Sequence, residues 1–149
     1  MVEEVIAALD RTSQREIDAG TEDLFARYGR ESLVGAFVQA FPRMRHWEGR
    51  NAVLFWLIKF ARKLPEVVEL AKQALGDKAA LVRMQACAAL AFSLRDDALP
   101  ALEGLASHRH MRTREWAEAA MDAIRHKNHH YFVDRGHTGR SFWAPDGGS

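Results

Sequence analysis

The chain has 149 residues, enough for one domain that buries roughly 70% of its unfolded surface. Its apolar fraction of 48% and charged fraction of 28% are those of an ordinary soluble globular protein. Lysine and arginine total 21 against 20 acidic residues, a balance that argues against a general nucleic-acid coat.

The charge is uneven along the chain. Residues 1–34 hold eight acids against four arginines, which leaves an acidic front and a mildly basic remainder. The start, M-V-E-E, has neither the basic region nor the apolar core of a signal peptide. Residues 2–9 have the pattern of a short amphipathic helix with Val2, Val5, Ile6 and Leu9 on one side. Ser13 and Glu16 match a capping box, and Ile17, Leu24, Phe25 and Tyr28 continue a helical face behind it. Gly20 either splits that segment or sits inside one helix at a cost of about 1 kcal/mol, and Gly29 ends it.

The next helix is expected over Glu31–Phe41, with Val34, Phe37, Val38 and Phe41 inward and Pro42 as its stop. A basic turn, P-R-M-R-H-W-E-G, follows. Arg50–Lys63 is apolar on more than one face, as in a helix sandwiched between neighbours. Its run Ala52–Ile58 falls far short of the ~20 apolar residues a membrane span needs. Pro65 suits the first turn of a helix reaching Leu75, with Val67, Leu70, Ala71 and Ala74 inward. Gly76 is the expected C-cap and Asp77 the next N-cap.

From Asp77 to Ala106 two short apolar helices follow each other, joined at Arg95–Asp97. Leu81, Val82, Ala86, Ala89, Leu90 and Leu94 are assigned to one face, and Asp97 caps the second helix above Leu99, Leu102, Leu105 and Ala106. Cys87 rules out an internal disulfide, suits a reducing compartment, and reads as a small core residue within Q-A-C-A-A-L. A cytoplasmic protein without a membrane partner is the expectation. After a polar turn, a helix over Met111–Lys127 presents Trp116, Ala117, Ala120, Met121 and Ile124, and Asn128 ends it. The tail 128–149 has no helical period. Tyr131, Phe132, Phe142 and Trp143 are expected to fold back over the last helices, with disorder in the last few residues.

The helices repeat. Val34, Val67 and Leu99 are spaced by 33 and 32 residues, and Arg50, Arg83 and Arg114 by 33 and 31. The pattern D-x4-V-R-x2-A-x-A-A-L followed by D-x-A-L-P-x-L resembles the HEAT repeat, particularly its short bacterial form. The match is good over 77–106, partial over 107–127 and weak over 31–63. The resemblance implies an all-α fold: a short right-handed α-solenoid of three helical hairpins with atypical N- and C-terminal caps. The whole chain, 1–149, would be one HEAT-like domain, with a helical cap over 1–30, hairpins over 31–127 and an irregular tail.

Catalytic motifs are sparse. There is no glycine-rich phosphate loop, no G-x-S-x-G, no paired cysteines and no H-E-x-x-H. Six of the seven histidines lie between 108 and 137. His126 and His130 have a chelating spacing only if the helix continues that far, and they are otherwise capping or solvated groups. Asp134 beside His130 could orient a general base, or could pair with Arg135 across a turn at Gly136. No catalytic residue, metal ligand or cofactor is assigned.

In the family, the arginine recurring in Arg50, Arg83 and Arg114 forms a ladder with acids in the turns. A functional reading groups these three with Arg43, Arg45, Lys78, Arg109 and Arg112 as a basic stripe along one rim. Trp56 reads as core, Trp47 as an exposed anchor, and Trp116 as either. The partner-binding set is therefore Arg43, Arg45, Trp47, Arg50, Lys78, Arg83, Arg109, Arg112 and Arg114, on the concave face of the solenoid. The resemblance points to non-catalytic protein binding, most concretely an immunity protein that neutralises a cognate bacterial toxin. The alternatives are a nucleic-acid-binding or DNA-glycosylase-like protein using the same rim, and an enzyme or metal-binding protein built on the histidine-rich tail. A scaffold or phycobilin-lyase type of role has no visible chromophore pocket behind it.

Overall fold

A computed structural model describes residues 1–147. All regular structure among the described residues is helical, as the sequence pattern requires. The chain divides into two compact units, Met1–Leu57 and Ile58–Ser149.

The first unit contains α1 (Val2–Leu9), α2 (Gln14–Tyr28), α3 (Val34–Ala40) and α4 (Trp47–Leu57). The Ser13 hydroxyl accepts the Glu16 N–H, so the predicted cap does start α2. Val5, Leu9, Ile17 and Leu24 are almost fully buried where α1 packs against its neighbours. That packing explains two glycines. A Cβ on Gly20 would lie 2.9 Å from the Ala8 carbonyl oxygen, and one on Gly49 only 2.2 Å from that of Leu9. Gly20 therefore sits inside an unbroken α2, where it lets α1 come close. Helix α4 starts three residues ahead of the expected Arg50. The Asp10 carboxylate accepts the N–H groups of Arg45 and His46 at 2.9 and 2.8 Å, and this fixes the turn just before it. The helix ends at Leu57 and passes into a 3-10 turn over Ile58–Phe60, short of the expected Lys63.

The second unit contains α5 (Pro65–Ala74), α6 (Ala80–Ser93), α7 (Leu99–Glu103), α8 (Met111–Arg125) and the tail. Helix α6 packs against α5 and α8, and α7 packs against α8. Val67, Leu70, Ala71 and Ala74 are buried as expected. Ala86, Ala89, Ala117 and Ala120 are fully buried, and such small side chains let helices approach closely. Cys87 is buried among them, and burial pushes its thiol up to about 12, which leaves it an inert core residue.

Several sequence expectations fail here. Leu81 is exposed, because it lies about 100° around the helix from its neighbour Val82. Leu94 leaves the helix in a left-handed conformation at φ 58° and is only half-buried. Asp97 does not cap α7: its carboxylate is gripped by the Arg95 guanidinium at 2.7 and 3.1 Å, and a 3-10 turn over Asp96–Ala98 starts the helix instead. Asp77 acts one step early, accepting the N–H of Ala79, the residue that occupies the cap position of α6.

The tail folds back, as its aromatic content suggests. Trp143 packs against Phe92, His129 and Phe132. Phe142 departs from this expectation: it touches His130 yet stays 74% exposed. The predicted terminal disorder falls partly on Gly148 and Ser149, which lie outside the described residues.

Candidate partner-binding surface

The recurring arginines have one shared geometry. In each case a guanidinium NH1 donates to the carbonyl six residues back: Arg50 to Met44 at 3.3 Å, Arg83 to Asp77 at 2.8 Å, and Arg114 to His108 at 2.6 Å. Each carbonyl belongs to the turn that leads into the arginine's own helix. The arginine thus reaches back and holds that turn down with a charge-assisted bond. Arg83 also donates its Nε–H to the Thr113 hydroxyl at 3.0 Å, tying α6 to α8. Arg50 and Arg83 are buried, and Arg114 is half-buried. Burial takes the first two out of the expected contact set. Their charge serves the interior of the fold.

The remaining cations differ by location. In the first unit, Arg43 is paired with Glu3 at 2.8 Å, an exposed ion pair, while Arg45 and Trp47 are exposed at the start of α4. In the second unit, Lys78, Arg109 and Arg112 are all exposed, and among the described residues no carboxylate pairs with them. They sit in the turns before α6 and α8, or in the first turn of α8, at the end where Arg83 meets Thr113. Two apolar side chains that sequence reasoning missed stand at the same end: Leu81 is 43% exposed and Met111 60%. The signal was their position in the first turn of each helix, just ahead of the recurring arginine. Trp116 is half-buried and tilts against His110. Trp56 is also only half-buried. Phe25 and Phe55 meet its ring edge-on and Arg30 covers it at 4.9 Å.

The histidines divide into structural groups. His110 caps α8, its Nδ1 accepting from the Thr113 N–H at 3.2 Å. His108 Nδ1 accepts the His110 N–H, and burial, helped by Arg83, holds this imidazole below its ordinary value. His129 is buried between two partners. Arg62 NH2 lies 2.7 Å from its Nδ1, and since a guanidinium only donates, that nitrogen must accept. Its Nε2–H then donates to the Trp143 carbonyl at 2.8 Å. Burial keeps His129 below the ordinary imidazole value, against the opposing pull of the Trp143 carbonyl. His130 Nδ1 accepts the Trp143 N–H at 2.9 Å. The two neighbouring imidazoles therefore clasp one peptide residue from both sides.

These bonds bear on a His130–Asp134 general base. The Asp134 carboxylate is buried and takes up the N–H and hydroxyl of Thr138 and the N–H of Gly139. Burial raises its pKa, but the Thr138 and Gly139 bonds outweigh that and hold it below the usual range. It locks the turn through Thr138 and Gly139, not through Arg135, which pairs with Asp122. Helix α8 ends at Arg125, so it does not continue far enough to carry His126 and His130 on one face. Ligand atoms of Asp122, His126 and His137 all lie within 4.8 Å of one another.

A family model for HEAT repeats matches residues 35–122. The chain belongs to the HEAT-repeat family. The match spans α3 to α8, and the Arg50, Arg83 and Arg114 ties recur along it. No curated protein and no solved structure shows a significant match. As a HEAT-repeat protein it is a helical protein-interaction module built of α-solenoid-type hairpins. None of its described helices is long and apolar enough to cross a membrane.

Proposed function

We propose that this HEAT-repeat protein is a non-catalytic binder that docks a partner protein on the end of its second unit formed by the turns before α6 and α8. The observation that carries this reading is the mixture on that end. Lys78, Arg109 and Arg112, without a carboxylate partner among the described residues, stand beside exposed Leu81 and Met111. Cations steer an acidic partner, while desolvated apolar anchors supply most of the affinity. A surface for nucleic acid would add cations rather than Leu and Met, and here two of the three repeat arginines are buried. In the first unit, Arg45 and Trp47 are the corresponding candidates, with Arg43 already neutralised by Glu3.

The most concrete form is an immunity protein that blocks a bacterial toxin. The test is to co-express the chain with a toxin domain encoded beside its gene and to measure complex formation and toxin activity. A double charge reversal, Arg109→Glu with Arg112→Glu, should weaken binding at least about tenfold while the helical spectrum is unchanged. Undiminished binding by that variant would reject the surface. Steeply salt-dependent binding to DNA or RNA in place of a protein would favour the nucleic-acid reading.

A further inference from the structure

We infer that Asp122, His126 and His137 form a binding site for a divalent transition-metal ion of the zinc class. The donor set is two imidazoles and one carboxylate, the nitrogen and oxygen ligands that such ions take. The site is assembled from two separate segments. Asp122 lies in the last turn of α8 and His126, four residues on, is its C-cap, so their side chains are neighbours, and the loop after the helix returns to bring His137 against them. His137 Nε2 lies 2.6 Å from Asp122 Oδ2, and His126 Nδ1 lies 3.1 Å from Asp122 Oδ1. With metal–ligand bonds of about 2.1 Å, tetrahedral ligand atoms sit roughly 3.4 Å apart. Ligand atoms already within 4.8 Å of one another need only small side-chain adjustments to surround an ion.

The ring positions are supported. Tyr131 stacks flat on His137 at 3.8 Å and meets His126 edge-on at 5.4 Å. His126 Nδ1 also lies 2.9 Å from the Asp122 carbonyl oxygen, a bond in which it donates and which it gives up when that nitrogen takes an ion. His137 has φ 53°, a left-handed conformation uncommon for a residue with a side chain. The buried Asp134 turn maintains it, because the Asp134 carbonyl accepts the His137 N–H while its carboxylate holds Thr138 and Gly139. The site opens to solvent, since His126 and His137 are exposed, and a fourth position is left for water or a partner's side chain. One group opposes an ion: Arg135 NH1 is 3.3 Å from Asp122 Oδ2. Its side chain is 46% exposed and can swing into water when a cation takes its place.

The opposing arginine makes the proposal testable against a purely structural ion cluster. The full chain, stripped with EDTA and desalted, is titrated with Co²⁺ and followed by visible absorption. Zn²⁺ then displaces the cobalt. Expected are one saturable equivalent, a visible band typical of four- or five-coordinate cobalt, and its loss on adding Zn²⁺. His126→Gln and His137→Gln should each reduce affinity at least tenfold with circular dichroism unchanged. Arg135→Gln should tighten binding several-fold, whereas a structural cluster would only lose a contact. The double variant His108→Ala with His110→Ala should bind as the parent does. Should either glutamine variant fail to fold, Arg135→Gln against the parent decides alone. The inference is overturned by weak, non-stoichiometric binding in the parent, by folded His137→Gln binding undiminished, or by Arg135→Gln binding no tighter.

Discussion

Between Ala80 and Arg125 the second unit is held by buried small and aliphatic side chains, reinforced by arginines that bind turn carbonyls. Between Asn128 and Gly147 it is held by specific polar pairings: His129 between Arg62 and Trp143, His130 on the Trp143 N–H, and Asp134 on Thr138 and Gly139. The first kind of order is spread over many contacts and tolerates the loss of one. The second depends on a few groups in one protonation state. The helical core should therefore set global stability, while the tail should respond to single substitutions and to pH. Phe92 joins the two regions, being buried in α6 while Arg62, His129 and Trp143 all pack on its ring.

The largest effect is expected at that junction. Phe92→Ala should lower stability by about 4 kcal/mol in urea denaturation and release the tail, seen as faster amide exchange in residues 140–147. Next, Arg83→Met should lose about 2 kcal/mol, because the Asp77 carbonyl and Thr113 hydroxyl lose a buried donor. His129→Ala removes two hydrogen bonds, should lose about 1 kcal/mol, and should expose the tail to protease while the helical signal persists. Acid should act like a mild form of that substitution. His129 is held below the ordinary value of 6.5, so its contribution is complete above pH 6.5 and is lost as pH falls through the lowered value. Tail exchange should quicken on acidification in the parent more than in His129→Gln. If helix and tail lose protection together under every one of these changes, the contrast between the regions is wrong.

Much of the helical framework could be read from the residues. The spacing of Val67, Leu70, Ala71 and Ala74 placed α5, and the Ser13 cap placed the start of α2. The recurrence of Arg50, Arg83 and Arg114 marked the repeats, because apolar period and capping are local properties. What escaped depends on distant approach. Gly20 reads equally as a breaker or as an interior glycine until α1 is seen lying on it. Asp97 reads as a cap until Arg95 claims it. The site was less legible still. A periodic arginine has the same signature whether it points to a carbonyl or to a partner, and only its burial and its bonds to Asp77 and Thr113 place Arg83 inside the fold. Leu81 was obscured by its assignment to the apolar face of a strong repeat, and Met111 by its place as the first residue of a helix. His137 lies eleven residues beyond His126, across a loop that no spacing rule covers.

The division between arginines that hold turns and cations left for a partner can be tested on one pair of residues. Arg83→Met and Arg112→Met make the same replacement near the starts of α6 and α8, and their urea midpoints can be compared side by side. Arg83→Met should lose about 2 kcal/mol and Arg112→Met should stay within about 0.5 kcal/mol of the parent. Equal losses, or a larger loss at Arg112, would contradict the division and with it the surface assigned to the partner.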